Sequence, residues 1–261
     1  MKKVLYQWCI ELTSNRFTSF LLKAFTSSRL SRFVNRSFVR TYNINTDEME
    51  KPLHEYKSLQ ELFVRKLKPD VREIDLRKGH VVSPVDGVIA FTGTLTGDQS
   101  FYVKGQKYSL RELLGSEQKC NRYKNGSYAI FYLSPSHYHR IHSPVTGSVV
   151  DQWLLGKKSY PVNDMGLIYG KRPLSKNYRL ITEIKSGGKH VAVVKVGALN
   201  VNSIHTTYST EQLEKGEEMA YFSFGSTVIL LFEGDFFRFG DSLTVPSDIR
   251  VGNSIGITEE R

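Results

Sequence analysis

The chain has 261 residues, a formal net charge of +10 and two cysteines. Its length supports one substantial core, or one core with an added segment, and its apolar and charged fractions are those of an ordinary soluble protein. Cys9 and Cys120 alone exclude a disulfide framework and fit a reducing compartment.

The charge is unevenly placed. Residues 1–46 hold eight basic side chains against one acid, Glu11. Phe17, Phe20, Leu21, Ala24 and Phe25 follow i, i+3, i+4, i+7, i+8 spacing and predict one apolar helix face. Leu5, Trp8 and Leu12 make a similar stripe. Basic amphipathic helices with Trp and Phe on the apolar side suit an anionic membrane surface. The alternative is that they pack on the core and the arginines form a solvated face. No apolar run reaches the roughly 18 residues needed to span a bilayer. Polar residues interrupt every stretch that could serve as a signal-peptide core. No nucleic-acid-binding motif accompanies the positive charge.

Ser58-Leu59-Gln60-Glu61 is a capping-box pattern ahead of Leu62, Phe63 and Leu67, and Pro69 is expected to end that helix. Residues 1–68 therefore read as a helical, membrane-associating segment, and 69–261 as a β-rich domain. From Val81 onward the stretches VVSPVDGVIAFTG, SYAIFYL, GSVVDQWLL, YRLITEI, HVAVVKVGALNV and STVILLF are rich in β-branched and aromatic residues. Gly187-Gly188 between two of them is a hairpin signal. The expected fold class is α+β: N-terminal amphipathic helices followed by a β-rich core, sandwich or barrel-like.

Ser83-Pro84-Val85-Asp86-Gly87 recurs as Ser143-Pro144-Val145-Thr146-Gly147, each followed by a β-branched run. The echo suggests two copies of one β unit folded together, as in barrel-sandwich hybrid folds.

Three histidines, His137, His139 and His142, lie within six positions between Pro135 and Pro144. Metal ligation, chance polar loop residues and acid–base chemistry are the three readings. A nearby cysteine or carboxylate with convincing ligand spacing is lacking. Asp86 reads either as a turn residue before Gly87 or as a buried carboxylate that orients a histidine. Ser226 sits in Phe224-Gly225-Ser226-Thr227, inside a long apolar strand pattern. Its flanks do not match the G-x-S-x-G nucleophile elbow. Gly225 raises the question of why a strand core carries a residue that weakens it.

The combination narrows the choice. Y-x-S-L-Q-E-L-F-V-R-K-L-K-P from Tyr56, S-P-V-D-G at 83–87, Y-L-S-P-S-H-Y-H-R-I-H-S-P at 132–144, V-G-A at 196–198 and K-G-E-E-M-A-Y-F-S-F-G-S-T-V at 215–228 occur in that order. Together they closely resemble the phosphatidylserine decarboxylases of bacterial type, which are pyruvoyl-dependent. The family's cleavage motif is usually L-G-S-T, and here phenylalanine replaces the leucine. Leu114-Gly115-Ser116 is a decoy, since Glu117 follows and the setting reads as a helix end.

The resemblance implies a self-made cofactor. Gly225–Ser226 would be the scissile bond, with glycine leaving room for attack on a bent peptide. The Ser226 hydroxyl would attack the Gly225 carbonyl, turning an amide into an ester. Elimination would leave dehydroalanine at 226, and hydrolysis would convert it to a covalent pyruvoyl group with loss of ammonia. The products would be chains 1–225 and 226–261, held together as an α/β heterodimer. His142 would be the base and Asp86 its orienting partner. In turnover, the amine of phosphatidylserine would form a Schiff base with the pyruvoyl ketone and carbon dioxide would leave. His139 would then return a proton, and hydrolysis would release phosphatidylethanolamine. The resemblance also implies a peripheral location on the cytoplasmic side of the cell membrane, and it suggests dimers. Two competing readings are a lipid-acting serine hydrolase using Ser226, His142 and Asp86, and a non-catalytic membrane-binding module.

Overall fold

The computed structural model describes residues 16–259 apart from 96, 98, 199–203 and 224–225, and the side chains of 16–20, 22 and 226 are likewise outside the described set. The Leu5–Trp8–Leu12 stripe and Cys9 fall outside it too. Arg16–Ser27 is helical, but its expected apolar face is not confirmed: the side chains of Phe17 and Phe20 lie outside the described residues, and Leu21, Ala24 and Phe25 are exposed. A 3₁₀ segment, Arg29–Val34, and a helix, Asn35–Tyr42, follow. The small polar residues of this region turn inward. Ser31 Oγ accepts from the Leu59 N–H at 2.9 Å, and Asn35 Nδ2 donates to the Tyr56 carbonyl at 3.1 Å. The large apolar ones stay out: Leu30 and Phe33 are 69% and 80% exposed.

The helix Leu59–Phe63 begins as its capping serine dictates. Ser58 Oγ accepts from the Glu61 N–H at 3.1 Å, and the Glu61 carboxylate reaches back to the Lys57 N–H at 2.8 Å. It ends at Phe63, well before Pro69. Tertiary backbone bonds end it: Lys66 O accepts from Glu50 N, Lys68 N donates to Glu48 O, and Met49 bridges Leu67. Among the described residues the helical expectation for 1–68 therefore holds over most of 16–42 and over 59–63, and fails over 43–58, apart from the 3₁₀ turn Leu53–Glu55, and over 64–68.

Among the described residues sixteen strands follow: β1 (His80–Val82), β2 (Gly87–Thr94), β3 (Ser100–Val103), β4 (Gln106–Ser109), β5 (Ser127–Leu133), β6 (Arg140–His142), β7 (Gly147–Leu155), β8 (Arg179–Ser186), β9 (Lys189–Gly197), β10 (Ile204–Thr206), β11 (Gln212–Leu213), β12 (Glu218–Phe222), β13 (Ser226–Phe232), β14 (Phe237–Phe239), β15 (Ser247–Ile249) and β16 (Ser254–Thr258). The central sheet runs β11-β7-β8-β9-β13-β5-β2-β15, antiparallel throughout. Two three-stranded sheets, β10-β12-β6 and β1-β16-β14, supply the residues that meet one of its faces.

Strand alternation sorts the core into two layers. Phe131, Leu133, Val193, Val228 and Leu230 face the small sheets together with Ile141, Phe222 and Ile255. Ile130, Val194, Ile229 and Leu231 face the other way, onto Leu110, Leu113, Tyr123 and Leu174 from the short helices. The sandwich expectation holds. A closed barrel does not form among the described residues, because the outer strands β11 and β15, of two and three residues, do not pair with each other. Gly187 and Gly188, at φ of 56° and 83°, make the hairpin turn between β8 and β9. The decoy Gly115 caps the helix Leu110–Leu114, and Ser116 starts the next, Glu117–Arg122.

The pentapeptide echo is a structural repeat. Ser83 Oγ donates to Val85 O at 2.7 Å, and Ser143 Oγ to Val145 O at 2.6 Å. The two copies lock reciprocally: Val82 N–H donates to Pro144 O at 3.0 Å, and His142 N–H to Pro84 O at 2.8 Å. Asp86 Oδ1 accepts from the Val251 N–H at 2.9 Å, where Thr146 Oγ1 accepts from the Lys215 N–H at 3.0 Å. The glycine that ends each copy meets a neighbouring strand. A Cβ on Gly87 would lie 2.5 Å from Tyr132 O, and one on Gly147 would lie 2.4 Å from Lys185 O. Gly87→Ala and Gly147→Ala are each expected to destabilise the protein by about 1–3 kcal/mol through overpacking against backbone. Denaturant unfolding checks this, and a loss under about 0.5 kcal/mol at both sites would contradict it.

Candidate active site

Three features converge where the chain changes sheets. β12, ending at Phe222, belongs to a small sheet, and β13, starting at position 226, belongs to the central one. The apolar pattern is therefore two strands in different sheets, not one. Position 226 pairs with Leu133 on one side and Gly197 on the other. The Ser226 side chain, Phe224 and Gly225 lie outside the described residues. The hydroxyls of Ser223 and Thr227, on either side, are buried with no hydrogen-bond partner among the described residues.

The loop after β5 brings the histidines to this junction. The His139 carbonyl accepts from the Phe222 N–H at 3.1 Å, which sets His139 level with the end of β12. Its ring is fully buried, stacks on Phe63 with centroids 3.9 Å apart, and donates from Nε2 to Ser134 O at 3.0 Å. His142 pairs with Glu218, further from the crossing. Its Nδ1 donates to Gly216 O at 2.7 Å, so Nε2 is unprotonated and accepts from the Tyr138 hydroxyl at 3.2 Å. His137 Nδ1 accepts from the Ser134 N–H at 2.9 Å.

Burial keeps all three imidazoles neutral. It pulls His139 well below the ordinary value, with the Arg65 charge acting the same way. It lowers His142 as well, against the Gly216 carbonyl, Glu218 and Asp86, and it lowers His137. A neutral imidazole with a bare nitrogen is the protonation state a general base requires.

Asp86 is buried, and Arg72 holds it: Nε lies 3.0 Å from Oδ1, and Nη2 lies 2.5 Å from Oδ2. Among the described residues no hydrogen bond joins Asp86 to His142. The Gly216 carbonyl orients the imidazole instead. The structure also adds residues to which sequence reasoning gave no role. Phe63 stacks on His139, Val64 O accepts from Arg140 Nε at 3.1 Å, and Arg65 Nη2 donates to Ser136 O and His137 O at 2.8 and 3.0 Å. The F-V-R segment thus clamps the histidine loop. Its presence in the quoted motif was the available signal; Tyr138 and Gly216 carried none beyond their motifs.

Buried imidazoles on the segment from β5 to β6, beside the end of β12, mark the candidate site of a β-rich protein. The family follows from comparison. A family model described as phosphatidylserine decarboxylase matches residues 59–257. The chain is 53% identical over 256 residues to a phosphatidylserine decarboxylase proenzyme of Geobacillus sp. (strain WCH70), covering 98% of this chain and 99% of that one. It is 53% identical over 261 residues to the proenzyme of Anoxybacillus flavithermus (strain DSM 21510 / WK1), covering 100% and 98%, and 52% identical over 255 residues to that of Bacillus cereus (strain B4264), covering 98% and 97%. The chain belongs to the phosphatidylserine decarboxylase family.

Burial of neutral His139 has a signed consequence for stability. Its folded pKa lies below the unfolded value of about 6.5, so the stability it contributes is present above that pH and lost as pH falls below it. The gap in melting temperature between wild type and His139→Gln should therefore narrow from pH 7.5 to pH 5.5. A constant or widening gap would contradict a buried neutral imidazole.

Proposed function

We propose that the protein converts phosphatidylserine to phosphatidylethanolamine, using a pyruvoyl group made from its own Ser226. One observation carries this reading. β12 ends at Phe222 in a small sheet, where its N–H donates to the His139 carbonyl at 3.1 Å, and the central sheet is entered at position 226, four residues on. The family membership and the proenzyme names of the relatives support it.

The residues present fit the group. Position 226 starts a strand paired on both sides, so a new chain end there stays fixed by seven residues of sheet. The hydroxyls of Ser223 and Thr227, on either side of it in sequence, are buried without a hydrogen-bond partner among the described residues. A pyruvoyl group supplies a ketone that condenses with the substrate amine and accepts the electron pair left by carbon dioxide.

The chain's own residues carry the processing chemistry. His142 Nε2 takes the Ser226 hydroxyl proton, and the freed oxygen attacks the Gly225 carbonyl carbon. The C–N bond breaks, the nitrogen gains the proton, and an ester joins 225 to 226. Loss of the Ser226 α-proton expels the 225 carboxylate and separates chains 1–225 and 226–261. The negative charge of Asp86 favours the imidazolium that forms on His142. In turnover His139 is the proposed proton donor.

Location follows from the N-terminal elements. Leu30 and Phe33 are exposed beside Arg29, Arg32 and Lys57, an apolar wedge in a basic field suited to an anionic lipid surface. No helix among the described residues is long and apolar enough to cross a membrane.

Intact-mass measurement on freshly purified wild type should give two chains, the smaller spanning the 36 residues from position 226 to Arg261 and starting with a keto group. Ser226→Ala should give one chain of encoded mass, and His142→Ala should slow cleavage by at least about a hundredfold. A single unbroken wild-type chain labelled by a fluorophosphonate would instead identify a serine hydrolase.

A further inference from the structure

Taking a phosphodiester anion out of water requires a cationic partner with hydrogen-bond donors. A cleft of about 290 Å³ opens beneath the histidine loop, between the start of β2 and the N-terminal segment. Arg65, Arg72, Asp86, His137, Tyr138 and Arg250 are among its lining residues. Two of its three arginines are already matched by carboxylates. Arg72 grips Asp86 and lies 2.8 Å from Glu48, and Arg250 lies 3.6 Å from Glu48.

Arg65 has no carboxylate partner among the described residues. It is 4% exposed, and Nη2 is spent on the carbonyls of Ser136 and His137. Its Nε and Nη1 are buried and make no hydrogen bond. An unpaired buried donor is costly, and more so on a charged group. Burial depresses the Arg65 pKa, with Asp86 and Glu48 nearby opposing. The side chain is held rigidly by the backbone it clamps, and its free donors suit an oxyanion.

We infer that Arg65 takes the phosphodiester of the lipid head group, with the cleft beneath the histidine loop as its pocket. This rests on the decarboxylase reading above. Placement favours the phosphodiester over the substrate carboxylate. Arg65 is tied to residues 136 and 137, while position 226 is level with Leu133, so the two sit at opposite ends of the turn. The phosphate of a serine head group is several bonds from the amine that reacts. A cation on the departing carboxylate would stabilise the ground state and slow its loss.

The test compares two substrates on the matured enzyme: phosphatidylserine in neutral detergent micelles, and O-octylserine, which has the same amine and carboxylate but no phosphate. Arg65→Gln should cleave itself into the same two chains. Its KM for phosphatidylserine should rise at least about thirtyfold, from loss of a charge-assisted pair. The loss in kcat/KM on phosphatidylserine should exceed that on O-octylserine at least about tenfold. Arg65→Lys should fall between, and it carries the same comparison if the glutamine variant does not mature. Glycerophosphoserine should compete with phosphatidylserine on wild type, and inorganic phosphate at equal concentration should not. Equal losses on both substrates would make Arg65 only a clamp for the loop and overturn the inference. Equal competition by inorganic phosphate would reassign the pocket to free phosphate. Wild type that neither matures nor acts on either serine compound would instead overturn the decarboxylase reading itself.

Discussion

Two backbone hydrogen bonds, from Val82 to Pro144 and from His142 to Pro84, hold the site together. β1 and β6 have three residues each, too short to fix their own positions. Their reciprocal bonds lock the two pentapeptide turns and so fix the start of β2 against the start of β7. Asp86 and His142 are both placed by this lock, one within a turn and the other just ahead of its counterpart. The placement of these two residues is therefore a by-product of pairing two like β units.

The same lock explains an asymmetry. Thr146 and Asp86 occupy equivalent positions and make equivalent backbone bonds, yet only Asp86 carries charge. That charge is buried, and Arg72 and Glu48 form a network around it. Nearby, Arg65 is buried with no carboxylate in contact with it among the described residues. A fold that sought stability alone would place apolar residues there.

What the sequence made legible was local. The Ser58 cap, the Gly187–Gly188 turn, the helix end at Gly115 and the pentapeptide echo each depend on residues a few positions apart. Each can be read from turn and cap chemistry. The premature end of the helix at Phe63 was not legible, because strand-like bonds to residues 48–50 impose it. Nor was the Arg72 grip on Asp86, since motif spacing says nothing about which cation reaches a carboxylate. Arg65 stood in view within F-V-R, but its unspent donors exist only once Ser136 and His137 fold over it. The exposed Leu30 and Phe33 fit the membrane reading of the basic segment, whereas the Leu5–Trp8–Leu12 stripe lies outside the described residues.

The central claim is that position 226 becomes a ketone that removes carbon dioxide from a serine phospholipid. Cyanoborohydride trapping during turnover of phosphatidylserine labelled at the serine carboxyl carbon tests it most directly. Decarboxylation predicts label released as carbon dioxide, and a reduced lipid adduct on the small chain that begins at 226. Label retained in a soluble serine product, with no adduct on that chain, would contradict it.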